Sequence, residues 1–239
     1  MPTALVLSAG GMFAAWEAGF WKVLSRRLQP DLVVGASAGA WNGWAIAGGC
    51  PPDELIDHWL DPRTAGIMRL GPHPTGILRP DALHREARLL FERFRPQIDF
   101  ALTVVEVPRL RVRLVRASEV GWAHLAASCS IPCGFPPVRI DGRRYVDGGL
   151  LGALPVWAAE ELGATRAVAL NVLTVPPFRL LHALLPVRRP SAALQVVGLE
   201  PSTPLGSLKE AVCWSRRTIA RMIEQGERDA TSALPSITM

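Results

Sequence analysis

The sequence predicts an α/β fold with a central, mostly parallel sheet, because short buried strands are followed by glycine-rich turns and helices. Two such units open the chain. A strand at 3–8 leads into a helix at about 13–28, and a buried strand that ends in Gly-x-Ser-x-Gly leads into a second helix. A further parallel strand is expected at 167–173. Of the 239 residues 49% are hydrophobic and 20% charged, so we expect a single domain over 1–239 with a sizeable core.

Helical spacing, strand alternation and turn residues place the remaining elements. In chain order we expect a helix at 53–60, a loop at 63–79, a helix at 81–95, strands at 100–107 and 109–117, a helix at 121–130, a hairpin at 138–145, a helix at 154–162, a proline-rich apolar loop at about 175–206 and a closing helix at about 207–225. Asp81 is the expected cap of its helix, and Asp141-Gly142 the expected turn of the hairpin. A long apolar loop suits a lid, a membrane contact or packing over the core. Its apolar residues are Phe178, Leu180, Leu181, Leu184 and Leu185.

A Gly-x-Ser-x-Gly run lies at 35–39, where the second strand turns into its helix. A sharp strand-to-helix turn exposes its middle residue, Ser37, at strained dihedral angles. Gly35 and Gly39 leave room for the crossing backbone, and the helix N-terminus favours negative charge on the Ser37 hydroxyl oxygen. The motif is short and also fits a glycine-rich turn whose serine has no catalytic role. The rest of the sequence therefore decides whether Ser37 is a nucleophile.

Gly10 and Gly11 leave backbone N–H groups free at the start of the first helix, which is typical of an anion site. A P-loop would need a Gly-Lys-Ser/Thr ending, which is missing. A dinucleotide site would need an acid at the end of the second strand, whereas Asp31 lies at its beginning. An oxyanion hole needs only two N–H donors near the nucleophile. Turns after neighbouring parallel strands open at the same edge of a sheet, so we expect this loop to face Ser37.

A nucleophilic serine needs a base, and Asp147 is the best candidate. It follows a strand directly and precedes Gly148-Gly149, so its carboxylate can enter a crowded site, although it can equally cap a helix or stabilise its own turn. Downstream of it lies one histidine, His182, inside the proline-rich loop. The other histidines show no suggestive spacing to an acid: His58, His73, His84 and His124. Desolvation can raise a carboxyl pKa toward neutrality, which predicts a Ser37–Asp147 dyad.

Three blocks of the sequence resemble, in order, those of the patatin-like phospholipase family: residues 7–11, the turn at 35–39, and Asp147-Gly148-Gly149. The flanking residues at 135–138, 145–146 and 154–156 are similar too, so the resemblance covers roughly 4–172. It implies a three-layer α/β/α sandwich and a lipid acyl hydrolase of the phospholipase A, lysophospholipase or carboxylesterase type.

The resemblance also implies a role for each site residue. Ser37 would be the nucleophile that carries the acyl group and Asp147 the base, and the N–H groups of Gly10, Gly11 and Met12 would form the oxyanion hole. The substrate would be a fatty-acyl ester or a phospholipid, and neither a metal nor another cofactor is expected.

Two departures from the family pattern leave alternatives open. Phe13-Ala14 stands where the family usually has arginine followed by glycine, and Gly152-Ala153 where an asparagine often precedes Leu-Pro-Val. The oxyanion donors are backbone groups, so Phe13 would change how the loop is held or what the pocket accepts. An acyltransferase on the same scaffold is one alternative, and a catalytically silent lipid- or protein-binding module is the other.

The charge of the chain limits the kinds of partner that it can have. The formal net charge is +5, compatible with an anionic membrane, but no stripe of basic and aromatic residues marks a nucleic-acid face. Arg109, Arg111 and Arg113 alternate with apolar residues 110, 112 and 114, a pattern that allows contact with phosphate headgroups but more often marks a solvated face.

The four cysteines form no CxxC pair, which favours free thiols in a reducing cytoplasm. The N-terminus lacks the features of a signal peptide, and no apolar run reaches the roughly 18 residues of a membrane span. We therefore expect a cytoplasmic protein, with peripheral membrane contact as an open alternative.

Overall fold

The computed structural model of the protein describes residues 1–73, 76–174 and 188–237. Its strands are β1 (Thr3–Leu7), β2 (Leu32–Ala36), β3 (Leu70–His73), β4 (Gly76–Leu78), β5 (Asp99–Val107), β6 (Arg111–Arg116), β7 (Val138–Ile140), β8 (Arg143–Asp147), β9 (Arg166–Leu170) and β10 (Gln195–Leu199). Its α-helices are α1 (Ala14–Leu24), α2 (Ala38–Ala47), α3 (Pro52–Leu60), α4 (Pro80–Arg93), α5 (Trp122–Ser128), α6 (Val156–Glu161), α7 (Leu208–Val212) and α8 (Arg216–Ile237). Short 3₁₀ turns lie at Gly11–Phe13, Pro62–Gly66 and Gly148–Leu151.

In the described part of the chain, eight strands form one sheet in the order β10-β9-β1-β2-β5-β8-β7, with β6 also paired to β5. The pairs from β10 through β5 are parallel, and β6, β7 and β8 add antiparallel pairs. Helices cover both faces. The α1, α2 and α8 side holds Leu5, Leu7 and Val33, and the α6 side holds Ala4 and Val6. This architecture confirms the predicted three-layer α/β/α sandwich.

Strand β5 pairs with three strands, and this arrangement positions the candidate site. Strand β2 pairs with the first half of β5, ending with Ala36 opposite Thr103, and β8 pairs with the second half, where Asp147 lies opposite Val104. Strand β6 pairs along residues 101–106, which overlap both halves. It must therefore occupy the opposite edge of β5, and β2 and β8 share one edge. Their C-terminal ends meet at two adjacent residues of β5.

Three elements differ from the sequence-based expectation in the first half of the chain. The predicted loop at 63–79 contains a 3₁₀ turn and the β3–β4 hairpin, whose glycines and prolines hide any strand alternation. Asp81 does not cap α4, because Pro80 takes the first helical position and Asp81 instead pairs with Arg79 at 3.4 Å. Leu110 lies in the β5–β6 turn at φ 50° and is 56% exposed, so it is not part of a buried strand face.

The C-terminal region differs more. Strand β10 lies inside the segment expected to be an irregular loop at about 175–206, and its mostly exposed residues obscured it. The closing helix expected at about 207–225 is two helices, α7 and α8, separated at 213–215, and α8 continues to Ile237. The predicted apolar cluster at Phe178–Leu185 and His182 lies outside the described residues. In the part that is described, no helix combines the length and the apolar character needed to cross a bilayer.

Candidate active site

Ser37 lies at the turn between β2 and α2, with φ 55° and ψ −130°. A positive φ is unusual for a residue with a side chain, and such strain is characteristic of sharp functional turns. A Cβ on Gly35 would lie 2.5 Å from the Gly39 carbonyl oxygen, and one on Gly39 would lie 2.4 Å from the Ser8 carbonyl oxygen. Both positions therefore require glycine if the turn is to close this tightly.

Asp147 ends β8, and its carboxylate contacts two groups. The Ser37 hydroxyl donates a hydrogen bond to Asp147 Oδ2 at 2.6 Å, and the Gly149 N–H donates to Oδ1 at 2.7 Å. The residue therefore stabilises its own turn with one oxygen and contacts the serine with the other. Both side chains are buried, with Ser37 4% and Asp147 5% exposed. A Cβ on Gly148 would lie 2.1 Å from the Thr103 carbonyl oxygen, so this turn packs directly against β5.

Burial raises the pKa of Asp147 from 3.8 to about 7, against the lowering effect of the hydrogen bonds from Ser37 and Gly149. In a low-dielectric site the charged carboxylate loses hydration that these two donors replace only in part. A pKa near neutrality lets a carboxyl exchange a proton with a hydroxyl at physiological pH. The pair is therefore chemically suited to proton transfer.

The end of α5 holds the two residues in place. The Ser37 N–H donates to Ser128 Oγ at 2.9 Å, and the Ser128 hydroxyl donates to the Thr103 carbonyl at 3.0 Å. The Asp147 N–H donates to the Ser130 carbonyl at 3.0 Å. Sequence reasoning missed both Ser128 and Ser130, because a serine in a stretch of small residues carries no distinctive signal.

The glycine loop after β1 carries three backbone N–H groups that are candidate oxyanion donors. Among the described residues no acceptor pairs with the backbone N–H of Gly10, Gly11 or Met12. Gly11 has φ +56°, and a Cβ there would lie 2.4 Å from the Ala211 carbonyl oxygen of α7. Gly11 and Met12 line the same cavity as Ser37, whereas Gly10 does not line it. The loop therefore brings to the space beside the serine at least two N–H donors that no described residue accepts.

The two positions that depart from the family pattern support this loop. The Ala153 carbonyl accepts the Ala9 N–H at 2.8 Å and so fixes the residue before the glycines. Phe13 is 1% exposed and packs in the main core instead of lining the cavity. The phenyl ring thus anchors the start of α1 through burial.

A buried carboxyl, Glu17, ties the loop to the helix that follows Ser37. Its Oε1 accepts the Ser8 N–H at 2.9 Å, and its Oε2 accepts the Asn42 side-chain N–H at 3.0 Å. Asn42 in turn accepts the Trp59 indole N–H at 2.9 Å. Burial raises the pKa of Glu17 from 4.5 to about 8, although the bonds from Asn42 and Ser8 lower it. This network joins β1, α1, α2 and α3 around the site.

A cavity of about 470 Å³ opens beside Ser37. Its wall is mainly apolar and includes Met12, Trp41, Ala45, Leu55, Trp59, Met68, Leu83 and Phe135. The arginines that line it are in ion pairs: Arg63 lies 2.6 Å from Asp61 and Arg93 lies 2.7 Å from Glu54. An elongated apolar ligand would fit such a wall better than a small charged one.

The remaining candidate residues do not join the pair. His58 lines the cavity, but neither it nor His84 nor His124 bonds Ser37 or Asp147 in the described residues, and burial lowers the pKa of all three. Burial, and then the charge of Asp147, raises the pKa of the Cys129 thiol beside the serine, so it stays protonated at neutral pH. All four cysteines are free, and the described residues contain no metal-binding cluster of histidine, cysteine or carboxylate side chains.

Fold and turn geometry place the chain among α/β proteins that carry a serine at a strand-to-helix turn. The family model for patatin-like phospholipase matches residues 5–160. The chain therefore belongs to the patatin-like phospholipase family, as its sequence blocks predict.

Two solved structures are similar to the chain. The crystal structure of VipD from Legionella pneumophila is 13% identical with a TM-score of 0.57, over 98% of this chain and 67% of that chain. The crystal structure of the type III effector protein ExoU is 15% identical with a TM-score of 0.49, over 100% of this chain and 53% of that chain. At such low identity, the likeness to VipD supports the fold alone.

Proposed function

We propose that the protein is a serine lipid acyl hydrolase, of the phospholipase A, lysophospholipase or carboxylesterase type. The observation that carries the proposal is the 2.6 Å hydrogen bond from Ser37 Oγ to Asp147 Oδ2, in a strained turn beside an apolar cavity. Family membership makes lipid acyl hydrolysis the coarse expectation. The geometry then supports specific roles for the residues.

In the first step Ser37 Oγ attacks the acyl carbonyl carbon of the ester while Asp147 accepts the hydroxyl proton. The carbonyl electrons move to oxygen, and the N–H groups of Gly11 and Met12, which line the cavity, stabilise that negative charge. Collapse of the intermediate breaks the ester C–O bond, and Asp147 gives its proton to the leaving alkoxide oxygen, so that an alcohol departs. The acyl group is then bonded to Ser37.

In the second step a water molecule attacks the acyl-enzyme, and Asp147 accepts its proton. The bond to Ser37 Oγ breaks, the serine takes the proton back from Asp147, and a fatty acid leaves. Ser37 cannot use its own N–H as an oxyanion donor, because that group bonds Ser128. We therefore assign the donors to the glycine loop, whose Gly11 and Met12 line the cavity beside the serine.

The apolar cavity supports a fatty-acyl chain as the group that is bound. Four free cysteines favour a reducing compartment, so we place the activity in the cytoplasm, at the periphery of the membranes that contain the substrate.

The test combines ester hydrolysis with labelling by a fluorophosphonate probe. Ser37→Ala should reduce hydrolysis of p-nitrophenyl esters to background and abolish labelling, and Asp147→Asn should lower kcat about a hundred- to ten-thousand-fold. Exposed Ser118→Ala and Asp57→Asn are the matched controls and should behave as wild type. Wild-type turnover in a folded Ser37→Ala variant would refute the assignment.

The same assays separate the two alternatives. An acyltransferase would label equally but would pass the acyl group to an added alcohol or lysolipid in preference to water, so the ratio of ester product to free fatty acid decides. A silent binding module would bind lipid but would neither label nor turn over. Comparing p-nitrophenyl esters with phospholipids would then define the substrate type.

A further inference from the structure

One end of the sheet concentrates positive charge. Residues 105–113 and 138–145, the meeting region of β5, β6, β7 and β8, contain six of the chain's 26 basic residues but two of its 21 acidic ones, Glu106 and Asp141. We call the six arginines the arginine edge. They are Arg109, Arg111, Arg113, Arg139, Arg143 and Arg144, and all six are exposed. This edge contributes a net +4 to a chain whose total is +5.

Neutralisation within the edge is incomplete. Buried Glu106 bonds Arg109 at 2.9 Å and Arg143 at 3.4 Å. The hydrogen bond from Arg109 is the main cause that lowers the pKa of Glu106, and the positive charges of the neighbouring arginines lower it further. In the part of the chain that the structure describes, no carboxylate lies within 4 Å of the guanidinium of Arg111, Arg113, Arg139 or Arg144. Several cationic groups of this edge are thus available to an external anion.

The strand register places Arg111, Arg113 and Arg143 on one face of this end of the sheet and a close pair of arginines on the other face. Arg139 and Arg144 are direct cross-strand partners in the β7–β8 hairpin, a placement that destabilises a sheet. Basic residues on exposed strand edges can protect against edge-to-edge pairing, and β6 and β7 are edge strands within the described sheet. Edge protection, however, does not require two arginines facing each other across a pair that is already made.

We propose that the arginine edge is a docking surface for bilayers that contain anionic phospholipids. The charge complements a negative leaflet, and guanidinium groups bind phosphate oxygens in bidentate geometry. The edge is also rigidly connected to the candidate site, because Arg143 and Asp147 lie on one strand, about 13 Å apart at 3.3 Å per residue. Docking here would hold the protein near the lipids on which we propose that it acts, so this inference rests on the proposed function.

The test is co-sedimentation with vesicles of non-hydrolysable diether phosphatidylcholine, with or without diether phosphatidylserine. The edge variant R111Q/R139Q/R144Q removes three arginines that bond no side chain in the described residues. The control variant R26Q/R27Q/R228Q removes the same charge from exposed arginines elsewhere. Each basic residue near an anionic leaflet contributes about a fivefold factor in binding. We therefore expect phosphatidylserine-dependent, salt-sensitive binding that is about a hundredfold weaker in the edge variant and near wild type in the control.

Several outcomes would overturn the proposal. One is an equal loss of vesicle binding in the edge and control variants, and another is vesicle binding that does not depend on phosphatidylserine. A third is an edge variant that keeps its vesicle binding but loses affinity for duplex RNA. Hydrolysis of a soluble ester, p-nitrophenyl butyrate, should stay at the wild-type rate in the edge variant, because the edge does not line the cavity. Wild-type protein that hydrolyses the soluble ester but does not bind phosphatidylserine vesicles would overturn the docking proposal alone. Wild-type protein that binds these vesicles but does not hydrolyse the ester would overturn the proposed function instead.

Discussion

The pKa of Asp147 gives a sharp prediction for the pH dependence of catalysis. A general base works in its ionised form, so the rate should fall as protons bind below a pKa of about 7. The ionised fraction is about one half at pH 7, about a tenth at pH 6 and about a hundredth at pH 5. We expect kcat/KM at pH 5 to lie about a hundredfold below its alkaline plateau.

The assay follows p-nitrophenyl butyrate hydrolysis from pH 5 to 9 at a wavelength where both forms of the product absorb equally. Asp147→Asn should leave a slow rate without the acid limb, because its side chain does not titrate. A wild-type profile that stays flat down to pH 5 would refute the assignment of Asp147 as a base whose pKa is raised by burial.

Stability should respond to pH in the opposite direction to activity. The folded state holds the Asp147 proton more tightly than the unfolded chain, so this contribution to the free energy of unfolding is complete below pH 3.8 and declines as pH rises through about 7. A shift of this size corresponds to about 4 kcal/mol. Asp147→Asn should therefore unfold at a higher temperature than wild type at pH 8, and a lower one would contradict the reasoning.

Four further predictions follow from single contacts. Glu17→Gln should make the fall in melting temperature between pH 4.5 and 8 smaller, because the raised pKa of about 8 makes ionisation of Glu17 destabilising over that range; an unchanged slope would argue against it. Gly39→Ala should inactivate or unfold the protein, since its Cβ would lie 2.4 Å from a backbone oxygen, and a folded, active variant would contradict this. Ser128→Ala leaves the buried Ser37 N–H unpaired and should cost about 1–3 kcal/mol of stability, measured by urea denaturation, together with part of kcat. Ala45→Phe, in the cavity wall, should shift preference toward shorter acyl chains in a p-nitrophenyl ester series, and an unchanged preference would place the acyl chain elsewhere.

The predictable features are those encoded locally. Glycines on both sides of Ser37 and the Asp141-Gly142 turn predict their structures because steric limits act within a few residues. The contact between Ser37 and Asp147 depends on the pairing register of β5, which no local pattern contains. Their convergence was predictable only from the need of a serine for a base and from the family blocks.

The features that the sequence did not predict depend on distant packing. Strand β10 has mostly exposed residues and forms because β9 offers it an edge. Ser128 matters because it bridges Ser37 and Thr103, a contact that joins three separate parts of the chain. The sequence around Glu17 is that of an ordinary helix, and the contacts of its carboxylate with Ser8 and Asn42 form only when the chain folds.

Strands β2 and β8 meet end to end along β5, so the proposed activity depends on the register in which β8 pairs with β5. Because side chains alternate between faces, sliding β8 by one residue would turn the Asp147 carboxyl to the far side of the sheet and leave Ser37 without its partner. A chain misaligned by one residue would keep its strands and much of its core yet be inert. Specific activity would then report the fraction of molecules in which β8 pairs with β5 in the native register.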